Sequence, residues 1–249
     1  MKGYDFKCTI GSPMPSEVYS EEFHKEHKMR MDDKFYTVSN YIMKEAIEDA
    51  KLDLGKNLHV PRDRVGIAIA NLGEALQNML RINQLRGGRL LTVTTFGLMG
   101  AISMEYNLQG YQGMNANGCA ASMFSIGDSY RQIKDGYQDI IFAGGIDKNV
   151  GNFSHIILDA VGALNTKSNH DPEMACRPFD QERNGAVQAD GGAMLVLESE
   201  ESAHRRGARI LAEIVGYHTC SVADNLYKPS KLGIQKVMSG VIKQAGWNT

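Results

Sequence analysis

The chain has 249 residues, 43% of them hydrophobic and 22% charged, a composition that supports a substantial folded core and excludes a disordered chain or a membrane bundle. Its 27 basic and 29 acidic residues leave a net charge of −2, with no basic run suited to a phosphate backbone, so nucleic acid is not an expected partner. No run of about eighteen apolar residues exists to span a membrane, and Cys8, Cys119, Cys176 and Cys220 are too far apart for a C-x-x-C pair. That spacing argues against a zinc site or a disulfide framework and makes a reducing compartment, the cytoplasm, the default location.

Residues 1 to 30 read as loop and charged surface, with turn chemistry at Gly11-Ser12-Pro13-Met14-Pro15 and a solvated face carrying His24 and His27. Phe35, Val38, Ile42, Ala46 and Ala50 keep helical spacing, and Lys51 to Gly55 closes that helix. Val65-Gly66-Ile67-Ala68-Ile69-Ala70 is a continuous apolar run of strand length, as a strand covered on both faces requires. Leu72 to Leu85 reads as a helix, followed by a break at Arg86-Gly87-Gly88-Arg89 whose two arginines are a weak phosphate signal. Phe96 to Tyr106 is a further helix. Asp139 to Ala143 is a buried strand ending at Gly144-Gly145, where another backbone can come close. This alternation of helix and strand predicts a βαβ sheet.

Residues 146 to 190 read as mainly loop, and irregular stretches of that length are usually functional or interfacial. Asp180, Arg183 and Asp190 are expected to pair with one another in a buried loop. Gly192 to Leu197 is the next strand. Ser199 caps a short helix with Glu200 and Glu201 at its positive end, and Gly207 stops it. Ile210 to Gly216 reads as a returning strand, and Ile234, Val237, Met238, Val241, Ile242 and Ala245 mark an amphipathic final helix whose apolar face needs a cover.

The chemistry centres on Gly113 to Tyr130. Met123, Ile126, Tyr130 and Ile133 recur at helical spacing behind Cys119, so the cysteine stands where a turn enters a helix. Unpaired N–H groups and the positive helix end favour an anion there, and small neighbours leave the sulfur open. An inert cysteine packed at a helix start is the alternative.

Several segments in order resemble the β-ketoacyl synthases of the thiolase-like superfamily: Met29-Arg30-Met31-Asp32, Gly118-Cys119-Ala120-Ala121-Ser122, Ala143-Gly144-Gly145, Gly162-Ala163-Leu164-Asn165-Thr166, Arg177-Pro178-Phe179-Asp180 through Gly185, and Asp190 to Glu198. The resemblance implies a layered αβαβα fold, mainly its N-terminal half, with a mixed sheet of five or so strands and helices on both faces. It divides the chain into a loop and charged segment at 1–33, a ketosynthase N-terminal domain at 34–230, and at 231–249 the first helix of an otherwise missing C-terminal half.

The same resemblance makes Cys119 the acyl acceptor and its own N–H the oxyanion donor, with decarboxylative Claisen condensation in fatty-acid or polyketide synthesis as the reaction. An acyl carrier protein or coenzyme A thioester would be the substrate, with no metal or other cofactor. A homodimer, or a chain supplying the C-terminal half, is the implied partner. The family's two further histidines lie in H-G-T and G-H motifs that do not occur here. His59, His155, His170, His204 and His218 stand in unrelated contexts. A catalytically degenerate structural or heteromeric subunit, or a fragment of a complete enzyme, is therefore the alternative. Gly118 also replaces the family's common alanine and Asn117 its frequent threonine, which bears on the geometry of the turn.

Overall fold

Strand β1, Val65–Ala70, runs through the centre of the sheet with all six residues buried. In the computed structural model, which describes residues 5–26, 34–70, 95–148, 150, 153–223, 225 and 228–247, β1 pairs in parallel with β2 (Gln112–Asn115) and β3 (Ile140–Asp147). Strand β4 (Gly191–Glu198) runs antiparallel along β3, giving the order β2-β1-β3-β4. The expectations for Met29 to Asp32, the Leu72 to Leu85 helix, Arg86 to Arg89, His27 and the side chain of His24 lie outside what is described.

Period-two alternation sorts the strand residues between the faces. Val65, Ile67, Ile69, Ile140, Phe142 and Ile146 belong to the main core, where they meet Phe35, Val38 and Met43 of helix α2 (Lys34–Asp49) and Leu98, Met99 and Ile102 of α3 (Thr95–Tyr106); a short helix, α1, precedes them at Glu21–Glu26. Buried Asn40 ties these helices together. Its Nδ2 donates to the Tyr36 hydroxyl at 3.0 Å, and the Tyr106 hydroxyl donates to its Oδ1 at 3.0 Å. Burial also pushes the Tyr106 phenol up, so it stays a donor.

The opposite face is built differently. Gly66, Ala68 and Ala70 alternate with the large β1 residues and leave a shallow floor, on which α4 (Ala121–Lys134) lies. Gly145 is what lets α4 sit so low. A Cβ there would stand 2.2 Å from Ser122 Oγ and 3.1 Å from Ala70 Cβ, and at Gly144 it would meet the Ala193 carbonyl at 2.0 Å. The close approach expected at Gly144-Gly145 is thus made on both sides of the strand, and the helices cover both faces of the sheet.

Residues 146 to 190 are mainly loop, as expected, and hold one helix, α5 (Phe153–Ala160). Two expectations are corrected. Residues 5 to 14 are more than charged surface: Cys8 and Ile10 are buried in a second core with Leu164 and Ala175. Asp159 of α5 accepts from Cys8 N at 2.7 Å and Lys7 N at 3.0 Å, and His155 Nε2 donates to Cys8 O at 3.2 Å. Finally, 210 to 216 forms no strand, because it finds no ladder partner among the described residues, and the described sheet has four strands rather than five. Helix α6 (Glu200–Arg205) starts on the Ser199 cap, whose side chain accepts from Ser202 N, and Gly207 leaves it at φ +65°. Helix α7 (Lys231–Gln244) has no buried residue.

Candidate active site

The three parallel strands end on one side of the sheet, the position where open α/β sheets bind ligands. From the end of β2 the chain passes Ala116 and Asn117, turns at Gly118 with φ +60°, forms a single 3-10 turn over Gly118–Ala120, and enters α4 at Ala121. Cys119 stands in the middle of that turn and is exposed, as are Ala116, Asn117, Gly118 and Ala120. No side chain caps the helix start. Asn115 Nδ2 donates to Ser125 Oγ at 3.2 Å, tying the end of β2 to the second turn of α4 and holding the turn between two fixed points. The sequence reading of a thiol at a turn entering a helix is met, and the alternative of a packed cysteine does not describe an exposed one.

Four cysteines are free; Cys8 is buried, while Cys176 and Cys220 are exposed like Cys119. Of the three exposed thiols, only Cys119 lies at the start of a long helix on the sheet. Among the described residues no group of three His, Cys, Asp or Glu could hold a metal.

Among the described histidines, three are engaged elsewhere. His59 Nε2 lies 2.7 Å from Ser202 Oγ and 3.3 Å from Glu198 Oε1, inside a network that Arg206 closes by three bonds to Glu198 at 2.7–3.0 Å. His155 holds the N-terminal segment, with Phe6 edge-on at 5.3 Å. His218 packs against Gly240 of α7, while His170 and His204 are exposed.

The expected pairing of Asp180, Arg183 and Asp190 is not formed. Asp180 and Arg183 lie in an exposed loop, where Arg183 Nη1 donates to the Asp180 main-chain carbonyl at 2.8 Å and the Asp180 carboxylate accepts from Glu182 N. Asp190 is separate from them. Its side chain is 1% exposed and accepts from Lys148 Nζ at 3.3 Å, Val150 N at 3.0 Å and Met14 N at 3.3 Å, so it fixes the loop beyond β3 at the same end of the sheet as Cys119. The physical reason is desolvation: a buried carboxylate takes the cation and N–H groups that its fold neighbours supply, whatever the sequence spacing. Sequence reasoning missed Lys148; a lysine just after a buried strand is the signal that could have found it. Phe179, named within the Arg177–Asp180 motif, is 99% exposed with φ +65°, a strained conformation for an aromatic residue that the motif does not reveal.

The geometry can be set beside known proteins. A 3-oxoacyl-(acyl-carrier-protein) synthase 1 from Haemophilus influenzae is 36% identical over 206 residues, covering 79% of this chain and 50% of that protein. The crystal structure of a β-ketoacyl synthase from Burkholderia phymatum superposes with a TM-score of 0.84 at 23% identity, covering 98% of this chain and 61% of that one. A type II polyketide ketosynthase bound to a hexaketide, in complex with its acyl-carrier protein, superposes at 0.83 with 24% identity, covering 99% and 61%. The chain thus spans about half the length of the curated relative and adopts the layered, thiolase-like α/β fold of these structures. A family model described as the β-ketoacyl synthase N-terminal domain matches residues 11–203, and the chain belongs to the β-ketoacyl synthase family.

Proposed function

We propose that Cys119 is an acyl acceptor and that the chain takes part in the decarboxylative Claisen condensation of fatty-acid or polyketide synthesis. The observation that carries this is the placement of an exposed thiol in the turn between β2 and α4, at the ligand-binding end of the parallel strands. The sulfur of Cys119 attacks the carbonyl carbon of an acyl thioester carried by an acyl carrier protein or coenzyme A. The bond from that carbon to the carrier sulfur then breaks, the acyl group stays on Cys119, and the carrier leaves as a thiol with the proton that Cys119 gave up. The oxyanion between these steps is met by main-chain N–H groups at the turn, that of Cys119 first. Ketosynthase relatives, one in complex with its acyl-carrier protein, support this choice of donor.

Condensation needs more. The family's two further histidines lie in motifs outside these 249 residues, and the step proposed here is acyl transfer onto Cys119. A partner is part of the proposal, either a second copy of this chain or a chain supplying the C-terminal half; of the two, only the latter would bring those histidines. Support comes from apolar side chains left exposed on α7 and on 210–215, namely Ile234, Met238, Ile210, Leu211 and Val215. The second reading is a non-catalytic subunit of a heteromeric ketosynthase. No described helix is long and apolar enough to cross a membrane, and we place the protein in the cytoplasm.

Incubation with an acyl-coenzyme A thioester followed by intact-mass and peptide mapping tests the reading. One acyl group on Cys119, absent from Cys119→Ala, is expected. Acylation of any other residue, or none, overturns it and leaves the non-catalytic subunit.

A further inference from the structure

Helix α4 is gripped from two opposite sides, and only one of them is the sheet. Ala121, Ser125 and Ser129 are buried at intervals of four, which makes them the sheet-facing stripe. Gly127 is also buried, yet two residues beyond Ser125 it lies about 200° further round the helix, on the far face. What buries it is Tyr217. A Cβ at Gly127 would stand 2.0–2.3 Å from three carbons of the Tyr217 ring. Phe124 meets the same ring edge-on at 6.5 Å between centroids, and the Arg131 guanidinium lies 5.0 Å from its centre. Phe124, Gly127 and Arg131, at i−3, i and i+4, form one seat on the outer face.

The seat matters because β1 offers α4 little to hold. Alanine and serine on α4 against glycine and alanine on β1 bury small apolar area, which leaves Ile141 of β3, fully buried on that face, as the large side chain on the sheet side, and apolar area is what fixes a helix to a sheet. Tyr217 itself comes from 208–222, a segment with no ladder partner among the described residues, and is anchored from behind: its N–H donates to Gln244 Oε1 of α7 at 3.0 Å. The Cys119 turn leads directly into the helix so held.

We infer that Tyr217 is a positioning residue whose ring, seated on Gly127, sets the placement of α4 and through it the direction in which Cys119 presents its sulfur. This rests on the reading of Cys119 as the acyl acceptor. The ring is what acts. The Tyr217 hydroxyl is buried without a hydrogen-bond partner among the described residues, so removing it costs the seat nothing.

The test uses the intact chain and compares iodoacetamide alkylation of Cys119 with that of Cys176, an exposed thiol in the same molecule. Tyr217→Ala and Gly127→Ala are each expected to lower the Cys119 to Cys176 rate ratio by roughly tenfold, the scale on which misplaced reacting groups lose rate, and Tyr217→Phe to leave it unchanged. Gly127→Ala keeps the test decisive if Tyr217→Ala does not fold, because alanine favours a helix over glycine by about 1 kcal/mol while its methyl evicts the ring. An unchanged ratio in a folded Gly127→Ala, or a fall in Tyr217→Phe matching that in Tyr217→Ala, overturns the inference. A wild-type chain in which Cys119 has no advantage over Cys176 removes the acyl-acceptor reading instead, before any variant is compared.

Discussion

At the scale of single residues, Gly118 bears most directly on the thiol. Its φ of +60° is open to glycine and costs an alanine roughly 1–2 kcal/mol. Beyond its chain neighbours no described atom lies within 4 Å of where a Cβ would go, so the cost of Gly118→Ala is conformational. Its expected signature is a Tm lower by about 2–4 °C per kcal/mol; a melt identical to wild type would mean that the turn relaxes freely. The Arg64–Asp139 pair makes a second prediction. The Arg64 guanidinium beside Asp139 holds its carboxyl below the usual carboxylate range, so the ionised form stabilises the fold. That stability is complete above the unfolded carboxylate value near about 3.9 and is lost as pH falls through the lower folded one. Arg64→Gln is expected to move the acid-unfolding midpoint, followed by circular dichroism, to higher pH. An unmoved midpoint would show the pair to be too well solvated to count.

Among the elements, α4 and β3 are matched through one glycine. Gly145→Ala drives a methyl against Ser122 Oγ and Ala70, so α4 is expected to lift from the sheet, with a lower Tm and slower labelling of Cys119. Adding Ser122→Ala removes the nearest atom and should restore part of both. No recovery in the double variant would place the strain at Ala70. Helix α6 offers a simpler case. Ser199→Ala removes the acceptor of the Ser202 N–H and is expected to cost about 1 kcal/mol, read as a shift in denaturant midpoint.

For the whole molecule, the exposed apolar surface decides the state of assembly. In α7, Ile234 is 52% and Met238 58% exposed, although the helix is amphipathic in sequence. Burying such side chains is worth about 1.5–3 kcal/mol each, against a net domain stability of roughly 5–15 kcal/mol. A homodimer, or a complex with a chain carrying the other half of the fold, is the expected form in solution. Light scattering at micromolar concentration that showed one species with the mass of a single chain and a cooperative melt would rule this out.

Local pattern determined β1, α2, α3, β4 and the short capped helix α6, because each is written in a few contiguous residues: an unbroken apolar run, a 3.6-residue period, a serine before two glutamates. The turn at Cys119 was legible for the same reason, since glycine, cysteine and small residues before a helical period form a local signal. What the tertiary structure decided is everything that depends on a partner far along the chain. Cys8 is buried because Asp159, 151 positions away, accepts its N–H. Asp190 pairs with Lys148 and not Arg183 because β3 and β4 are neighbours in the sheet. The run from Ile210 to Gly216 has the composition of a strand and is not one, since a strand exists only where another backbone supplies its hydrogen bonds, and the described chain leaves that segment to place Tyr217 on Gly127 instead.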